Sequence, residues 1–342
     1  MTQPALIDAY DGVLFDLDGV IYLGPVAVPG AAEGVALLRE RGTKIGFVTN
    51  NAARPPQVVA KHLVELGIDA TAADVVTSAQ AAAHLLVKRF GVGARVLLVG
   101  GDGVADAISE AGLVGVRSAD DDPVAVIQGY GFDLTWRELN EAALAIQRGA
   151  HWVATNTDLT RPTDRGVVPG NGAAVAAIRL TVDHDPEVAG KPYRPLLDDT
   201  VERLGATRPL FVGDRLDTDI GGAVNAGLDS MLVLSGSSVP RDLLLAPPEQ
   251  RPTYLGDDLH ALLRPAAEAV PAANGVRCGG ATAYAANAIL VVDGDGSLVE
   301  SAWAAAQVAW AAADRGGPLR HDDALAALDS RRRDQAPLTL LG

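Results

Sequence analysis

Apolar positions along the chain fall into two alternating patterns, short continuous runs and longer segments with a helical period. Continuous apolar runs are typical of buried strands, and helical periodicity is typical of amphipathic helices. The continuous runs predict strands at 12–15, 44–48, 95–99, 124–127, 152–155, 210–212 and 231–234. The periodic segments predict helices at 31–41, 55–66, 102–111, 136–148, from Ala174 and after Asp219. Strands that alternate with helices indicate an α/β fold with a parallel sheet.

The order of these elements predicts a doubly wound domain that a second α/β segment interrupts. We expect a discontinuous Rossmann-like core at 1–90 and 186–264, and an inserted α/β cap domain at 91–185. A length of 342 residues agrees with this division, because a single hydrophobic core seldom grows so large.

Residues 265–342 are predicted to form a short C-terminal α/β appendage, with a strand at 286–292 and an Ala-rich helix at 299–313. The run Arg277-Cys278-Gly279-Gly280-Ala281 partly resembles an acyl-CoA pyrophosphate loop, which makes an acetyltransferase-like appendage one interpretation. The other is an appendage that packs on a neighbour or forms a homodimer. Trp303 and Trp310 are seven residues apart and share one helical face, which favours the second interpretation.

Composition excludes several classes of protein. The formal net charge of −15 disfavours nucleic acid, whose phosphates attract basic surfaces, and a small anionic substrate would need a local cation. The single cysteine, Cys278, can form neither an internal disulfide nor a metal cluster. The first ten residues lack the basic and apolar regions of a signal peptide, and no apolar run is long enough to span a membrane. We therefore expect a cytoplasmic protein.

The strongest local motif is Leu14-Phe15-Asp16-Leu17-Asp18-Gly19-Val20, in which an apolar strand runs into two aspartates. Their spacing places both side chains on one face of the strand. At about 4 Å and an effective dielectric of about 20, two carboxylates repel by about 4 kcal/mol, which a divalent cation would offset. Magnesium suits oxygen ligands. Asp16 is then the candidate nucleophile and Asp18 the acid/base, whereas a lone motif of this kind is also typical of a polar turn.

Two further motifs offer groups that bind phosphate. Thr49 and Asn50 follow the strand at 44–48 and offer a hydroxyl and backbone N–H groups. Lys191 lies between Gly190 and Pro192 and offers a compact positive charge. Taken singly, the first motif is better explained as a Thr-Asn turn or helix cap, and the second as a surface lysine at a helix start.

A fourth motif repeats the pattern of an apolar strand followed by carboxylates: Phe211-Val212-Gly213-Asp214-Arg215-Leu216-Asp217-Thr218-Asp219. We expect Asp214 to be a direct metal ligand and Asp219 a supporting one. Asp217 is as well explained as a helix cap. All four motifs follow predicted strands, and the carboxyl ends of parallel strands are where open α/β sheets bind ligands.

The combined motifs resemble the haloacid dehalogenase superfamily of phosphohydrolases over about Tyr10 to Leu263. The long insertion resembles the branch with a large α/β cap, which includes phosphoglycolate and p-nitrophenyl phosphatases. Within that branch the chain is most similar to actinobacterial glycerol-3-phosphate phosphatases. The resemblance implies magnesium-dependent hydrolysis of a small phosphate ester through an aspartyl-phosphate.

The resemblance also implies a role for each motif residue. Asp16 is the nucleophile and a metal ligand, together with the Asp18 carbonyl and Asp214. The transferring phosphate is held by Gly19, Thr49, Asn50 and Lys191. The cap loop at 155–172 would close over the leaving group, which makes Asn156, Asp158 and Arg161 the specificity candidates. Phosphoglycolate is the rival substrate, because its carboxylate would favour an arginine such as Arg161.

Other interpretations remain open. Val99-Gly100-Gly101-Asp102-Gly103 misses the spacing of a dinucleotide-binding motif and is more typical of a tight strand–helix turn. Asp293-Gly294-Asp295-Gly296 lacks the later glutamate of a calcium loop and predicts a hairpin turn. A phosphotransferase or mutase could use the same aspartyl-phosphate, and a non-catalytic binding module could keep the same fold.

Overall fold

A computed structural model describes residues 3–163 and 165–335. In chain order the strands are β1 Gly12–Asp16, β2 Tyr22–Leu23, β3 Val26–Ala27, β4 Lys44–Thr49, β5 Val75–Thr77, β6 Arg95–Val99, β7 Val114–Val116, β8 Ala125–Gln128, β9 His151–Ala154, β10 Thr160–Thr163, β11 Gly166–Pro169, β12 Glu187–Val188, β13 Pro209–Gly213, β14 Asp229–Val233, β15 Tyr254–Gly256, β16 Ala269–Ala272, β17 Gly275–Cys278, β18 Ala281–Ala286 and β19 Ile289–Gly294. The α-helices are α1 Ala31–Glu40, α2 Pro56–Glu65, α3 Ser78–Phe90, α4 Asp102–Glu110, α5 Trp136–Gln147, α6 Asn171–Arg179, α7 Arg194–Leu204, α8 Gly221–Ala226, α9 Pro240–Leu244, α10 Leu298–Asp314 and α11 Asp322–Gln335.

The chain divides into two compact units, and it enters each of them more than once. The Lys191 unit consists of Gly12–Leu17 and Gly42–Pro209. The Asp214 unit consists of the N-terminal segment up to Asp11, Asp18–Arg41 and the chain from Leu210 onward. The α/β fold predicted from the alternation of strands and helices is confirmed in both units, while the predicted boundaries of core, cap and appendage remain predictions.

The Lys191 unit contains two groups of parallel strands. In the first, β1 pairs with β4 and β4 with β5, with Phe15 opposite Phe47 and Thr49 opposite Thr77. All five residues of β1 are buried, as expected for a strand covered on both faces. The second group is a five-stranded sheet in the order β12-β9-β8-β6-β7. Its core centres on the buried Trp152, and the β10–β11 hairpin extends from the same segment.

Local sequence signals account for the helix starts in this unit. Thr77 caps α3, because its hydroxyl accepts the N–H of Gln80 while the Gln80 side chain accepts the Thr77 N–H. Thr135 and Glu138 form the same reciprocal pair at the start of α5. These caps help to fix where each helix begins after a strand or loop.

The Asp214 unit combines parallel and antiparallel strands. β13, β14 and β15 are parallel neighbours, and Val212 lies opposite Met231. Residues after Ala269 form an antiparallel sheet in the order β16-β17-β18-β19, against which α10 and α11 pack. One hydrophobic core joins this C-terminal segment to the segment around Leu216 and Ile220.

The structure corrects three expectations for the C-terminal segment. The strand predicted at 286–292 begins later than expected, at Ile289 (β19), because Asn287 and Ala288 have positive φ angles of 51° and 59° and form the turn between β18 and β19. Gly279 and Gly280 do not open a helix but form the turn between β17 and β18. Asp293–Gly296 is not a hairpin turn, since it leads from the end of β19 into α10. The predicted helix at 299–313 is confirmed as α10.

Among the helices that the structure describes, none combines the length and the apolar character needed to cross a membrane.

Candidate active site

The Lys191 unit brings together a buried carboxylate and a buried ammonium group. Asp16 ends β1, and its Oδ1 accepts a hydrogen bond from Nζ of Lys191 at 2.5 Å. The side chain of Lys191 is 2% exposed and that of Asp16 is 12% exposed. A buried charge is costly unless it is paired, so each group stabilises the other in its ionised form. The predicted nucleophile and the predicted phosphate-binding lysine thus lie side by side.

Asn50 holds the backbone of Lys191. Its Nδ2 donates to the Lys191 carbonyl at 3.0 Å, and its Oδ1 accepts the Lys191 N–H at 2.8 Å. A Cβ atom at Gly190 would lie 2.7 Å from Oδ1 of Asn50, so only glycine permits this approach. The side chain of Asn50 therefore fixes the backbone of Lys191, and the contact of Asn50 with phosphate stays a prediction.

Polar side chains of α3 and the cap loop hold the turn that follows β4. Ser78 Oγ and Asn156 Nδ2 both donate to the Asn50 carbonyl, at 2.7 and 2.8 Å. Asn171, at the start of α6, donates to the Asn156 carbonyl at 2.7 Å. Thr49 is buried, and its Oγ1 accepts the N–H of Asn51. This network places the predicted specificity residue Asn156 against the predicted phosphate-binding turn.

The other two specificity candidates occupy different positions on the cap loop. Oδ2 of Asp158 lies 3.4 Å from Nδ2 of Asn50, so Asp158 borders the same turn. Arg161 lies on β10, with its guanidinium carbon 5.0 Å from the ring centre of Tyr130 and 5.3 Å from that of Phe132. Its Nε is buried without a hydrogen-bond partner in the part of the chain that the structure describes. The aromatic rings thus orient the Arg161 guanidinium, whose Nε–H has no hydrogen-bond partner among the described residues.

In the Asp214 unit, Asp18 and Gly19, which follow Asp16 closely in the sequence, form a turn. Asp18 is exposed to solvent, and it forms a bridge with Tyr22. Gly19 has a φ angle of +91°, and its N–H donates to the Tyr22 carbonyl at 2.8 Å. A Cβ atom at Gly19 would lie 2.3 Å from Oδ2 of Asp214. The close approach of the Asp214 carboxylate thus explains why position 19 is a glycine. The contact of Gly19 with phosphate stays a prediction.

Asp214 follows β13 and is fully buried. Its Oδ2 accepts the N–H of Ser237 at 2.5 Å, and its carbonyl accepts the N–H of Ser238 at 3.1 Å. A side chain at Gly236 would collide with this carboxylate, since a Cβ atom there would lie 2.1 Å from Oδ2. The loop after β14 therefore wraps tightly around the predicted metal ligand.

Asp219 and Asp217 lie in one π-helical turn, Leu216–Ile220, but have different roles. Oδ2 of the buried Asp219 accepts the N–H groups of Asp214 and Arg215, both at 3.1 Å. Asp217 instead receives two hydrogen bonds from Arg215 and one from the N–H of Thr218. Burial opposes ionisation of Asp217, but the Arg215 guanidinium keeps its pKa below the usual value.

These two carboxylates fit the predicted division between a metal ligand and its support. Oxygen atoms of Asp214 and Asp219 lie within 4.8 Å of each other in a buried environment. Carboxylate oxygens are the ligands that Mg²⁺ prefers, and two negative groups so close together are stabilised by a cation. Because Asp219 accepts the backbone N–H of Asp214, it would orient the predicted ligand as well as add negative charge.

The residues that hold the predicted site residues in position could not be identified from the sequence. Ser78 and Asn171 hold the turn after β4, while Ser237 and Gly236 enclose Asp214. The Ser-Gly-Ser-Ser run after a predicted strand is a weak signal, because it is also typical of any surface loop. Ser78 and Asn171 carry no local signal beyond their positions at helix starts.

Comparison with known proteins identifies similar chains. The family described as haloacid dehalogenase-like hydrolase matches residues 13–114, and the family described as HAD-hydrolase-like matches residues 188–262. The D-glycerol 3-phosphate phosphatase of Mycobacterium tuberculosis is 48% identical over 258 residues, which cover 75% of this chain and 72% of that protein. The acid sugar phosphatase of Staphylococcus haemolyticus is 35% identical over 74% of this chain and 95% of its own length.

A solved structure extends the similarity over the C-terminal segment. The crystal structure of the M. tuberculosis glycerol phosphate phosphatase in complex with magnesium has a TM-score of 0.86 and 41% sequence identity to this protein. The similarity covers 96% of this chain and 99% of the other.

Proposed function

This chain belongs to the haloacid dehalogenase-like hydrolases, and on that premise we propose that it hydrolyses glycerol 3-phosphate to glycerol and inorganic phosphate. It is a phosphoric monoester hydrolase that uses Mg²⁺. The observation that carries the substrate proposal is the 48% identity to the D-glycerol 3-phosphate phosphatase of M. tuberculosis. A similar structure along almost the whole chain supports it.

We propose that Asp16 attacks phosphorus while Lys191 stabilises the negative charge that develops. The Lys191 ammonium already contacts Oδ1 of Asp16, so it can orient the attacking carboxylate without further rearrangement. The phosphorus–oxygen bond to glycerol breaks, and Asp18 donates a proton to the departing oxygen. Asp18 then removes a proton from water, which attacks the phosphorus of the aspartyl-phosphate and regenerates Asp16.

We propose that Asp16, the Asp18 carbonyl and Asp214 hold the magnesium ion, with Asp219 as support. Asp16 and Asp18 are separated by one residue, and Gly19 leaves room for the Asp214 carboxylate beside that same turn. Bound Mg²⁺ would supply positive charge that offsets the carboxylates and the phosphate oxygens. Thr49 and the backbone of Asn50 would then bind the remaining phosphate oxygens.

A second substrate, phosphoglycolate, is favoured by one observation in the cap segment. The Nε donor of Arg161 has no partner in the described structure, and a substrate carboxylate would satisfy it. Glycerol 3-phosphate offers hydroxyl groups instead, which suit the neutral and acidic side chains of Asn156 and Asp158. A cytoplasmic location and a homodimer remain predictions from the sequence.

The test is a substrate screen with purified protein and Mg²⁺. We expect inorganic phosphate to be released from glycerol 3-phosphate with a higher kcat/KM than from phosphoglycolate, and without any added phosphate acceptor. A preference for phosphoglycolate would reject the proposed substrate. Phosphate release only in the presence of an acceptor would indicate a phosphotransferase, and no turnover of p-nitrophenyl phosphate would indicate a binding module.

A further inference from the structure

The C-terminal helices share a hydrophobic core with the segment that carries Asp214 and Asp219. Leu216 and Ile220, at the two ends of the π-helical turn, belong to this core. Trp303 and Trp310 of α10 belong to it as well, with their rings edge to face and their centres 5.6 Å apart. The C-terminal helices and the predicted metal-binding turn therefore belong to one hydrophobic core of this unit.

A hydrogen bond fixes α10 to α9. Nε1 of Trp310 donates to the carbonyl of Leu243 at 2.9 Å, and this bond is buried. Arg251 packs on the Trp310 ring, with its guanidinium carbon 5.3 Å from the ring centre. The same guanidinium donates to both carboxylate oxygens of Asp314, at 2.7 and 2.8 Å. Trp310 is thus held in one orientation by contacts on two sides.

The helix α9 in turn sets the position of the loop that encloses Asp214. It begins at Pro240, directly after the segment from Ser237 to Val239. Ser237 donates its N–H to the Asp214 carboxylate, and the Ser238 hydroxyl accepts the N–H of Leu216. Any shift of α9 would move Ser237 and Ser238 relative to the predicted metal ligand, because at most two residues separate them from the helix.

Relatives of this chain differ in how much of it they match. The Staphylococcus acid sugar phosphatase matches 74% of this chain, and the crystal structure of the Mycobacterium glycerol phosphate phosphatase matches 96% of it. The family matches end at residue 262, before α10 begins. The segment that contains α10 therefore lies outside the matched family regions.

We propose that α10 braces the magnesium site, with Trp310 as a positioning residue that acts through Leu243, α9 and the Ser237–Ser238 loop on Asp214. The proposal rests on the metal site proposed above. We therefore expect a substitution of Trp310 to alter the affinity for Mg²⁺, although the Trp310 side chain would contact neither the substrate nor the metal.

The test is Mg²⁺ titration of the full-length variant Trp310→Phe, which removes the indole N–H and keeps an aromatic ring. We expect its dissociation constant for Mg²⁺, measured by calorimetry without substrate, to rise about two- to tenfold, the range that one hydrogen bond is worth. The rise in Tm on adding Mg²⁺ should shrink accordingly. The KM for substrate at saturating Mg²⁺ should stay at the wild-type value.

Trp303→Phe is the matched control, because Trp303 shares the core and gives no hydrogen bond to α9 in the described structure. We expect its Mg²⁺ affinity to match the wild type. If Trp310→Phe binds Mg²⁺ as tightly as wild type, or if both variants lose affinity equally, the brace is refuted. A wild-type protein that binds no Mg²⁺ would instead refute the proposed metal site.

Asp314→Asn keeps the proposal testable if Trp310→Phe does not fold. Asp314 is half exposed, so its substitution removes the ion pair to Arg251 without opening a cavity. We expect a smaller loss of Mg²⁺ affinity in the same direction, and an unchanged affinity in this folded variant would contradict the brace.

Discussion

The two units of this protein hold their acidic residues by different means. In the Lys191 unit, polar bonds join residues far apart in sequence: Asp16 and Lys191 are separated by 175 positions, and Asn50 and Lys191 by 141. In the Asp214 unit, the hydrogen bonds of Asp214 to Asp219 and Ser237 join residues closer in sequence, which lie 5 and 23 positions away. An extensive apolar core lies behind them.

This difference predicts different consequences of substitution. Substitution of Lys191 should remove a charge that acts on phosphorus, so turnover should fall while Mg²⁺ binding changes less. A change in the Asp214 unit should disturb a tightly packed carboxylate, so Mg²⁺ affinity should fall first.

Asp16→Asn should abolish hydrolysis, with a loss in kcat of about 10⁴-fold or more, because the amide is a poor nucleophile. The asparagine oxygen can still accept the Lys191 hydrogen bond, so we expect the fold to persist. Phosphate release and circular dichroism measure the two effects. Wild-type-like phosphate release from the folded variant would refute Asp16 as the nucleophile.

Lys191→Ala should lower kcat by about 10²- to 10³-fold, the range seen when one group that stabilises developing charge is removed. The exposed Lys88, paired with Glu202 on the surface, is the matched control, and Lys88→Ala should keep full activity. Steady-state kinetics on both variants decide the question. Equal losses in the two lysine variants would mean that Lys191 acts only through stability or net charge.

Asp219→Asn should weaken Mg²⁺ binding by about 10- to 100-fold, because it alters a side chain that orients the metal ligand. Asp217 lies in the same turn but bonds to Arg215 at the surface, so Asp217→Asn is a close control with little expected effect. Calorimetric titration with Mg²⁺ measures both. A reversed order of the two variants would contradict the assignment of Asp219.

Cys278 should resist alkylation by iodoacetamide in the folded protein at pH 8. The thiol is 1% exposed, and burial, with a contribution from the Glu300 carboxylate, raises its pKa to about 11, so little thiolate forms at that pH. Mass spectrometry before and after denaturation provides the readout. Rapid modification of the native protein would show that the C-terminal core is looser than described.

Much of the Lys191 unit could be predicted because its motifs follow apolar strands. Asp16, Thr49 and Asn50 lie at or directly after the ends of strands whose neighbours are parallel, and parallel strands place their carboxyl ends at one edge. The hydrogen bonds between Asn50 and Lys191 could not be predicted, because no local pattern relates residues so distant in sequence.

The C-terminal segment was harder to predict because its local signals are ambiguous. Gly279 and Gly280 suit a helix start and a hairpin turn equally well, and the choice depends on the antiparallel pairing of β17 with β18. The turn at Asn287 and Ala288 is ambiguous in the sequence as well, because an alanine does not indicate a positive φ angle. In contrast, α10 could be predicted because its alanine content and its helical periodicity both favour a helix.

We propose that one magnesium ion binds both Asp16 and Asp214. Anomalous diffraction from a crystal soaked in Mn²⁺, which replaces Mg²⁺ at oxygen sites, tests this coordination. We expect a single peak about 2.0–2.2 Å from carboxylate oxygens of both Asp16 and Asp214. A peak bound by Asp214 and Asp219 alone, with Asp16 outside coordination distance, would contradict it.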